Sequence, residues 1–224
     1  MHTKTKQSRS QKPSAVPQTA DISTVSVITL GCSKNTTDSE ILMGMIQAHG
    51  MNFVPAREAD AVIINTCGFI DRAKEESIET IFEAIKQKEE LAAEGKSQKL
   101  IVAGCLSQRY GEDLRKEMPQ VDNFFGESDF ENVVKSLTPN FKYSLLGERV
   151  ITTSPHYSYL KISEGCDNPC SFCAIPLIRG GHRSRPVEKL VEEAQFLVSK
   201  GVKEIVLIAQ DLTDYGRDLT GKRT

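Results

Sequence analysis

Ala61-Val62-Ile63-Ile64-Asn65-Thr66-Cys67 sets four consecutive apolar residues ahead of a polar pair and a cysteine. An apolar run without alternation suits a strand covered on both faces, as in parallel sheets flanked by helices. Two more segments share the arrangement. Val25-Ser26-Val27-Ile28-Thr29-Leu30 reads as a strand ending at Gly31-Cys32, and Leu100-Ile101-Val102-Ala103 as one ending at Gly104-Cys105. Helical patterns lie between them. The capping-box pattern Thr37-Asp38-Ser39-Glu40 predicts a helix start, with Gly50 as its stop. A second helix is expected from Asp71, with Ile78, Ile81, Phe82 and Ile85 on one buried stripe. A shorter helix to about Met118, a strand Val121–Phe125 and a helix capped by Ser128-Asp129-Phe130-Glu131 and ending near Leu137 complete the unit. Strands alternating with helices imply an α/β fold, an open parallel sheet with right-handed crossovers.

In such a sheet the carboxyl ends of the strands share one edge, where open α/β folds bind ligands. Cys32, Cys67 and Cys105 therefore should converge in space although they are far apart in sequence. Each alone could be a small buried hydrophobe; three strands, three cysteines and one edge point instead to a shared metal centre. Gly31, Gly68 and Gly104 are expected to allow the close backbone approach of a bulky cluster. Asn35, Asn65 and Thr66 either donate to thiolates or shape turns.

Thr138 to Pro155 reads as a linker, with Pro139, Asn140, Gly147 and Pro155 as breakers. The strand Tyr157–Ile162 then leads into Glu164-Gly165-Cys166-Asp167-Asn168-Pro169-Cys170-Ser171-Phe172-Cys173. Cys166, Cys170 and Cys173 bring three thiolates to one loop, one fewer than a four-iron cluster takes, so one iron keeps an open position. The competing reading is a zinc site completed by His182. Phe172 either stacks on a ligand's flat ring or is a core aromatic. A helix from about Pro186 to Gly201 should turn Leu190, Ala194, Leu197 and Val198 inward. The strand Glu204–Ala209 follows, placing Gln210 and Asp211 at its carboxyl end as cofactor contacts or solvated loop residues. One strand-helix-strand unit cannot close a barrel, so this second unit is expected to be incomplete as given.

Composition narrows the setting. The chain has 224 residues, a net charge of −2, 39% hydrophobic residues and no Trp. No apolar stretch approaches the roughly 18 residues that cross a membrane, and the start lacks the apolar core of an export signal. Six cysteines without such a signal suggest a reducing, cytoplasmic setting in which thiols serve metals or catalysis. The charge balance announces no nucleic-acid partner. Lys4, Lys6, Arg9 and Lys12 sit in a polar tail expected to be disordered. The expected divisions are thus 1–22 tail, 23–138 first domain, 139–156 linker and 157–224 second domain.

The spacing at 166–173 resembles that of the radical S-adenosylmethionine (SAM) enzymes. Leu30-Gly31-Cys32-Ser33-Lys34-Asn35 with Asp38-Ser39-Glu40, and Asn65-Thr66-Cys67-Gly68-Phe69-Ile70-Asp71 with Ala73-Lys74-Glu75-Glu76-Ser77, narrow the resemblance to the methylthiotransferases. Leu160–Gly165, Ser184-Arg185-Pro186, and Ala209-Gln210-Asp211-Leu212 with Tyr215-Gly216 fit the RimO type. The tRNA-modifying relatives, the runner-up, lack the Gly-Phe-Ile-Asp stretch. The resemblance implies a methylthiotransferase domain followed by the start of a radical SAM (β/α) partial barrel. It implies an auxiliary 4Fe–4S cluster on Cys32, Cys67 and Cys105, a radical SAM 4Fe–4S cluster on Cys166, Cys170 and Cys173, and SAM contacted by Phe172 and Gln210. No catalytic residue beyond the cluster ligands is implied. The substrate would be an aspartate of ribosomal protein S-twelve, methylthiolated at its β-carbon. One SAM would methylate the auxiliary-cluster sulfur, and a second, cleaved to a 5′-deoxyadenosyl radical, would activate that carbon. The electron donor would be a flavodoxin or ferredoxin. Family members continue to a complete partial barrel and a TRAM domain, so this chain alone is expected to load its auxiliary cluster with weak turnover. Outside the enzyme class stand a non-catalytic iron–sulfur module and a zinc-stabilised binding domain.

Overall fold

The computed structural model describes residues 22–144 and 147–221. The expected basic tail lies outside these residues, except Ile22, which packs on the core. The first unit runs β1 (Thr24–Thr29), α1 (Ser33–Ala48), β2 (Asn52–Phe53), β3 (Ala61–Thr66), α2 (Asp71–Ala93), β4 (Lys99–Gly104), α3 (Cys105–Glu117), β5 (Asn123–Phe124) and α4 (Phe130–Leu137). Its strands lie in the order β2-β1-β3-β4-β5, every pair parallel. That order reverses between β1 and β3, the place where doubly wound sheets open a crevice at their carboxyl edge.

Successive strand residues serve opposite faces. Val62, Ile64, Leu100 and Val102 meet Ile81, Ala84 and Ile85 of α2 and Leu106 and Leu114 of α3. Ala61, Ile63, Ile101 and Ala103 meet Leu42, Met45 and Ile46 of α1 and Val133, Val134 and Leu137 of α4. All six residues of β3 are buried, as its unalternating sequence requires.

The second unit comprises β6 (Tyr157–Lys161), β7 (Ser163–Glu164), α5 (Ile175–Arg179), β8 (Arg183–Ser184), α6 (Val187–Ser199), β9 (Glu204–Ile208) and α7 (Arg217–Thr220). β6 and β9 pair in parallel, and β7 pairs antiparallel with β8. The segment joining the units is bound to α1. Val150 donates its N–H to the Glu40 carbonyl. At Gly44 the Glu148 carbonyl oxygen lies 2.3 Å from where a Cβ would sit, so only glycine admits the strap.

Four expectations fail. The Ser128-Asp129-Phe130-Glu131 pattern does not cap α4: Asp129 occupies the N-cap without a side-chain cap bond, and Ser128 Oγ donates to Glu127 instead. The Thr37–Glu40 pattern does not cap: α1 begins at Ser33, Cys32 occupies the N-cap, and Thr37, Asp38, Ser39 and Glu40 are buried inside the helix. Thr37 and Ser39 bond within the first unit, Glu40 is held by Arg149 and Thr152 of the joining segment, and Asp38 by Lys161 and Arg179 of the second unit. Phe82 is 54% exposed, so the α2 stripe narrows to Ile81 and Ile85 with Ile78 at its margin. Val198 is also exposed and Leu197 alone on α6 is fully buried, because the two-stranded β6-β9 sheet offers that helix a narrow face.

Candidate metal centres

The loops after β1, β3 and β4 carry Cys32, Cys67 and Cys105, and polar side chains tie these ends together. Asn35 Nδ2 donates to the Leu30 carbonyl at 2.8 Å and the Thr66 carbonyl at 3.0 Å. Asn65 Nδ2 donates to the Asn35 carbonyl and Ser39 Oγ, and Thr66 Oγ1 to the Ala103 carbonyl at 2.6 Å. These residues brace the strand ends and donate to no thiol. Ser77, which the sequence did not single out, accepts the Cys67 N–H at 3.1 Å from α2. The three glycines also act differently from expectation. A Cβ at Gly31 would lie 2.6 Å from the Cys67 Cβ, one at Gly68 2.7 Å from Leu106, and one at Gly104 2.4 Å from Asn65 Oδ1. They let the three loops close on one another.

All six cysteines are free; Cys67 and Cys105 are buried, Cys32 and Cys170 exposed, and Cys166 and Cys173 half-buried. The Cys166 N–H reaches the Gly180 carbonyl and the Cys173 N–H the Cys170 carbonyl, both at 3.1 Å, which folds the loop back on itself. Asn168 Nδ2 donates to Asp211 Oδ2 at 2.8 Å, tying the loop to the end of β9. Phe172 is 89% exposed and so lies outside the core of the described residues. Gln210 Nε2 donates to Glu164 Oε1 at 2.5 Å, while its own buried Oε1 has no hydrogen-bond partner.

Neither trio has its three sulfurs all within 4.8 Å of one another among the described residues. Sulfurs on one tetrahedral zinc at about 2.3 Å would stand under about 4 Å apart. Neither trio is therefore gathered as a closed zinc site, and three thiol donors are a ligand set that an iron–sulfur cluster takes. Among the described residues His182 does not gather with the cysteine sulfurs as a zinc set; its Nε2 lies 3.1 Å from Ser184 Oγ and its Nδ1 has no hydrogen-bond partner.

Between the trios lies a buried network of charge. Arg179 Nη1 stands 3.1 Å from Asp38 Oδ2, 3.0 Å from Glu164 Oε1 and 3.0 Å from Glu127 Oε2. The last contact is an ion pair by distance without hydrogen-bond geometry, as expected of a nitrogen with two hydrogens and three acceptors. Arg179 Nη2 donates to Asn35 Oδ1 at 2.8 Å and to Cys105 Sγ at 3.4 Å. Lys161 bonds both Asp38 and Glu164. The oxygens of Asp38, Glu127 and Glu164 cluster closely enough for a cation, but these two basic side chains already serve them. Burial would raise the Glu164 carboxyl, yet Lys161 and Arg179 hold it down at about 2. Burial dominates at Glu127 and raises it despite Arg179. Burial likewise pushes the Cys105 thiol up to about 11 against the pull of Arg179, so a metal there must displace a proton.

Cys105 also packs on Ala174 and Ile178, which closely follow Cys173. One cysteine of the first trio thus packs on the segment that follows the second trio. Residues 24–126 match the family described as "Uncharacterized protein family UPF0004", and residues 160–221 match the radical SAM superfamily. The ribosomal protein uS12 methylthiotransferase RimO of Christiangramia forsetii is 54% identical over 199 residues, covering 89% of this chain and 43% of that protein. Its namesake from Flavobacterium psychrophilum is 56% identical over 199 residues, covering 89% and 45%. The chain thus carries a UPF0004 domain followed by a radical SAM domain. It spans a little under half the length of these curated relatives. Among solved structures, the cobalamin-dependent radical SAM enzyme OxsB with aqua-cobalamin and SAM bound aligns over 86% of this chain and 34% of its own, at a TM-score of 0.55 and 12% identity. That likeness is one of fold. No helix among the described residues is long and apolar enough to cross a membrane.

Proposed function

We propose that this protein is a radical SAM methylthiotransferase acting in the cytoplasm on the β-carbon of an aspartate of ribosomal protein S-twelve. Cys32, Cys67 and Cys105 would hold an auxiliary 4Fe–4S cluster, and Cys166, Cys170 and Cys173 the 4Fe–4S cluster that binds SAM. Residues 23–138 would form the first domain, 139–156 a linker and 157–224 the start of the second domain. The observation that supports the reading is the packing of Cys105 on Ala174 and Ile178, which closely follow Cys173.

When bound, the clusters and SAM would supply sulfur, methyl group and radical chemistry, leaving binding, orientation and electrostatics to the protein. Asn35, Asn65, Thr66 and Ser77 fix the three strand ends, so the first trio is held by side chains that do not themselves coordinate. Phe172, which is exposed, would stack on SAM, and Gln210 would offer it the Oε1 that has no partner beside Glu164. Electrons would come from a flavodoxin or ferredoxin.

Anaerobic reconstitution followed by iron and sulfide analysis tests the two-centre reading. About eight irons are expected per wild-type chain and about four in either C32A/C67A/C105A or C166A/C170A/C173A. Zinc, or loading of one centre only, would refute it. Mass spectrometry of ribosomal protein S-twelve and of tRNA from cells with and without the full-length gene tests the substrate. A methylthio group replacing one hydrogen of the aspartate is expected, and its appearance in tRNA instead would overturn the assignment.

A further inference from the structure

Arg179 stands out because its planar fork is divided between two tasks. Nη1 faces the carboxylates of Asp38, Glu164 and Glu127. Lys161, a point charge, serves two of these acids from another side. Nη2 points the other way, to Asn35 Oδ1 and Cys105 Sγ. Only the sulfur side of the site needs a second donor at a fixed angle. The side chain is 3% exposed, so the charge is poorly screened and acts at close range on that sulfur.

We infer that Arg179 is a positioning residue for the first metal centre: from the helix following the second cysteine trio, it fixes the Cys105 sulfur and sets the reduction potential of the cluster held there. This rests on the cluster assignment proposed above. Hydrogen bonds to ligating sulfurs and nearby positive charge favour the reduced, more negative form of an iron–sulfur cluster. Nη2 supplies both. A ligating thiolate keeps lone pairs for such a donor, so the contact is compatible with a bound metal.

The test is an EPR-monitored redox titration of the chain carrying C166A/C170A/C173A, which leaves one centre to read, after iron counting. Arg179→Gln should make the cluster harder to reduce by at least about tenfold in the one-electron equilibrium, about 59 mV more negative. Arg179→Lys keeps the charge beside the carboxylates and should fall between the two. It also carries the test alone if the glutamine variant does not fold. Arg149→Lys perturbs the same interface without reaching a sulfur and should leave the potential where it was. An unmoved potential in an iron-loaded Arg179 variant overturns the inference, as does an equal shift with Arg149→Lys. Failure of the starting protein to load iron at the first trio would instead strike the cluster assignment, and the inference with it.

Discussion

Truncating Arg149 to alanine should cost the chain about 3–5 kcal/mol, the range for breaking a buried ion pair from one side. The geometry supports the upper part of that range. Arg149 Nε and Nη2 reach Glu40 Oε2 at 2.7 and 2.5 Å, and Nη1 reaches both Glu193 Oε1 and the Tyr159 carbonyl at 2.7 Å. The two side chains are 5% and 0% exposed. Without Arg149, Glu40 keeps only the Thr152 N–H and hydroxyl, both on Oε1. Its other oxygen is left as a desolvated anion. With a urea slope of about 3 kcal/mol/M, the unfolding midpoint should drop by about 1–1.7 M. Because the pair is buried, the loss should persist in high salt. R149M/E40L removes both charges and should recover most of it. A loss below about 1 kcal/mol for Arg149→Ala, or no recovery in the double variant, would refute the claim that these units are joined by a desolvated ion pair.

Gly104 has φ +98°, with Asn65 Oδ1 2.4 Å and the Thr66 carbonyl 2.6 Å from a would-be Cβ; Gly104→Ala should cost at least about 1–3 kcal/mol, read as a lower Tm. Ser77→Ala leaves the buried Cys67 N–H without its acceptor and should cost about 1–3 kcal/mol in urea unfolding. Asp60 offers an independent pH test. Burial would raise its carboxyl, but donors from Ser23 and Thr24 outweigh burial and hold it below the ordinary 3.8. Its contribution to stability is therefore present above about pH 4 and lost as pH falls below that value. Unfolding of the wild type and Asp60→Asn should differ at pH 6 and converge towards pH 2; parallel curves would contradict the assignment.

The sheet and its cysteine edge were legible because β1, β3 and β4 announce themselves locally. Each is a short apolar run ended by a turn residue and a cysteine, and residues facing opposite sides of one strand need no distant partner to be recognised. Local pattern misled at Thr37–Glu40. A serine or threonine followed by a glutamate matches a helix cap, yet Glu40 pairs with Arg149, 109 positions away, and Asp38 with Lys161, 123 away. No window of neighbouring residues contains those partners. Arg179 was missed for the same reason: its partners come from α1, α3, β7 and the loop before α4, and nothing in Ile175–Arg179 marks its basic end as buried. A signal did exist in α1, whose polar first half lacks the alternation of an exposed face.

The use of ions rather than apolar surface at this interface has a geometric consequence. An apolar contact of similar area tolerates sliding, whereas a forked donor held by several acceptors does not. The network is also anchored close to the cysteines in sequence. Asn35 and Asp38 lie on the first turns of the helix that Cys32 opens, Glu164 two residues before Cys166, and Arg179 six residues after Cys173. Cys105 takes the donor itself. Moving one trio relative to the other therefore requires withdrawing Arg179 from Asp38 and Glu164 and leaving charges buried without partners. Such interfaces add little net stability compared with apolar packing. They do fix position, and under the proposed function that would set the separation between the two cysteine trios.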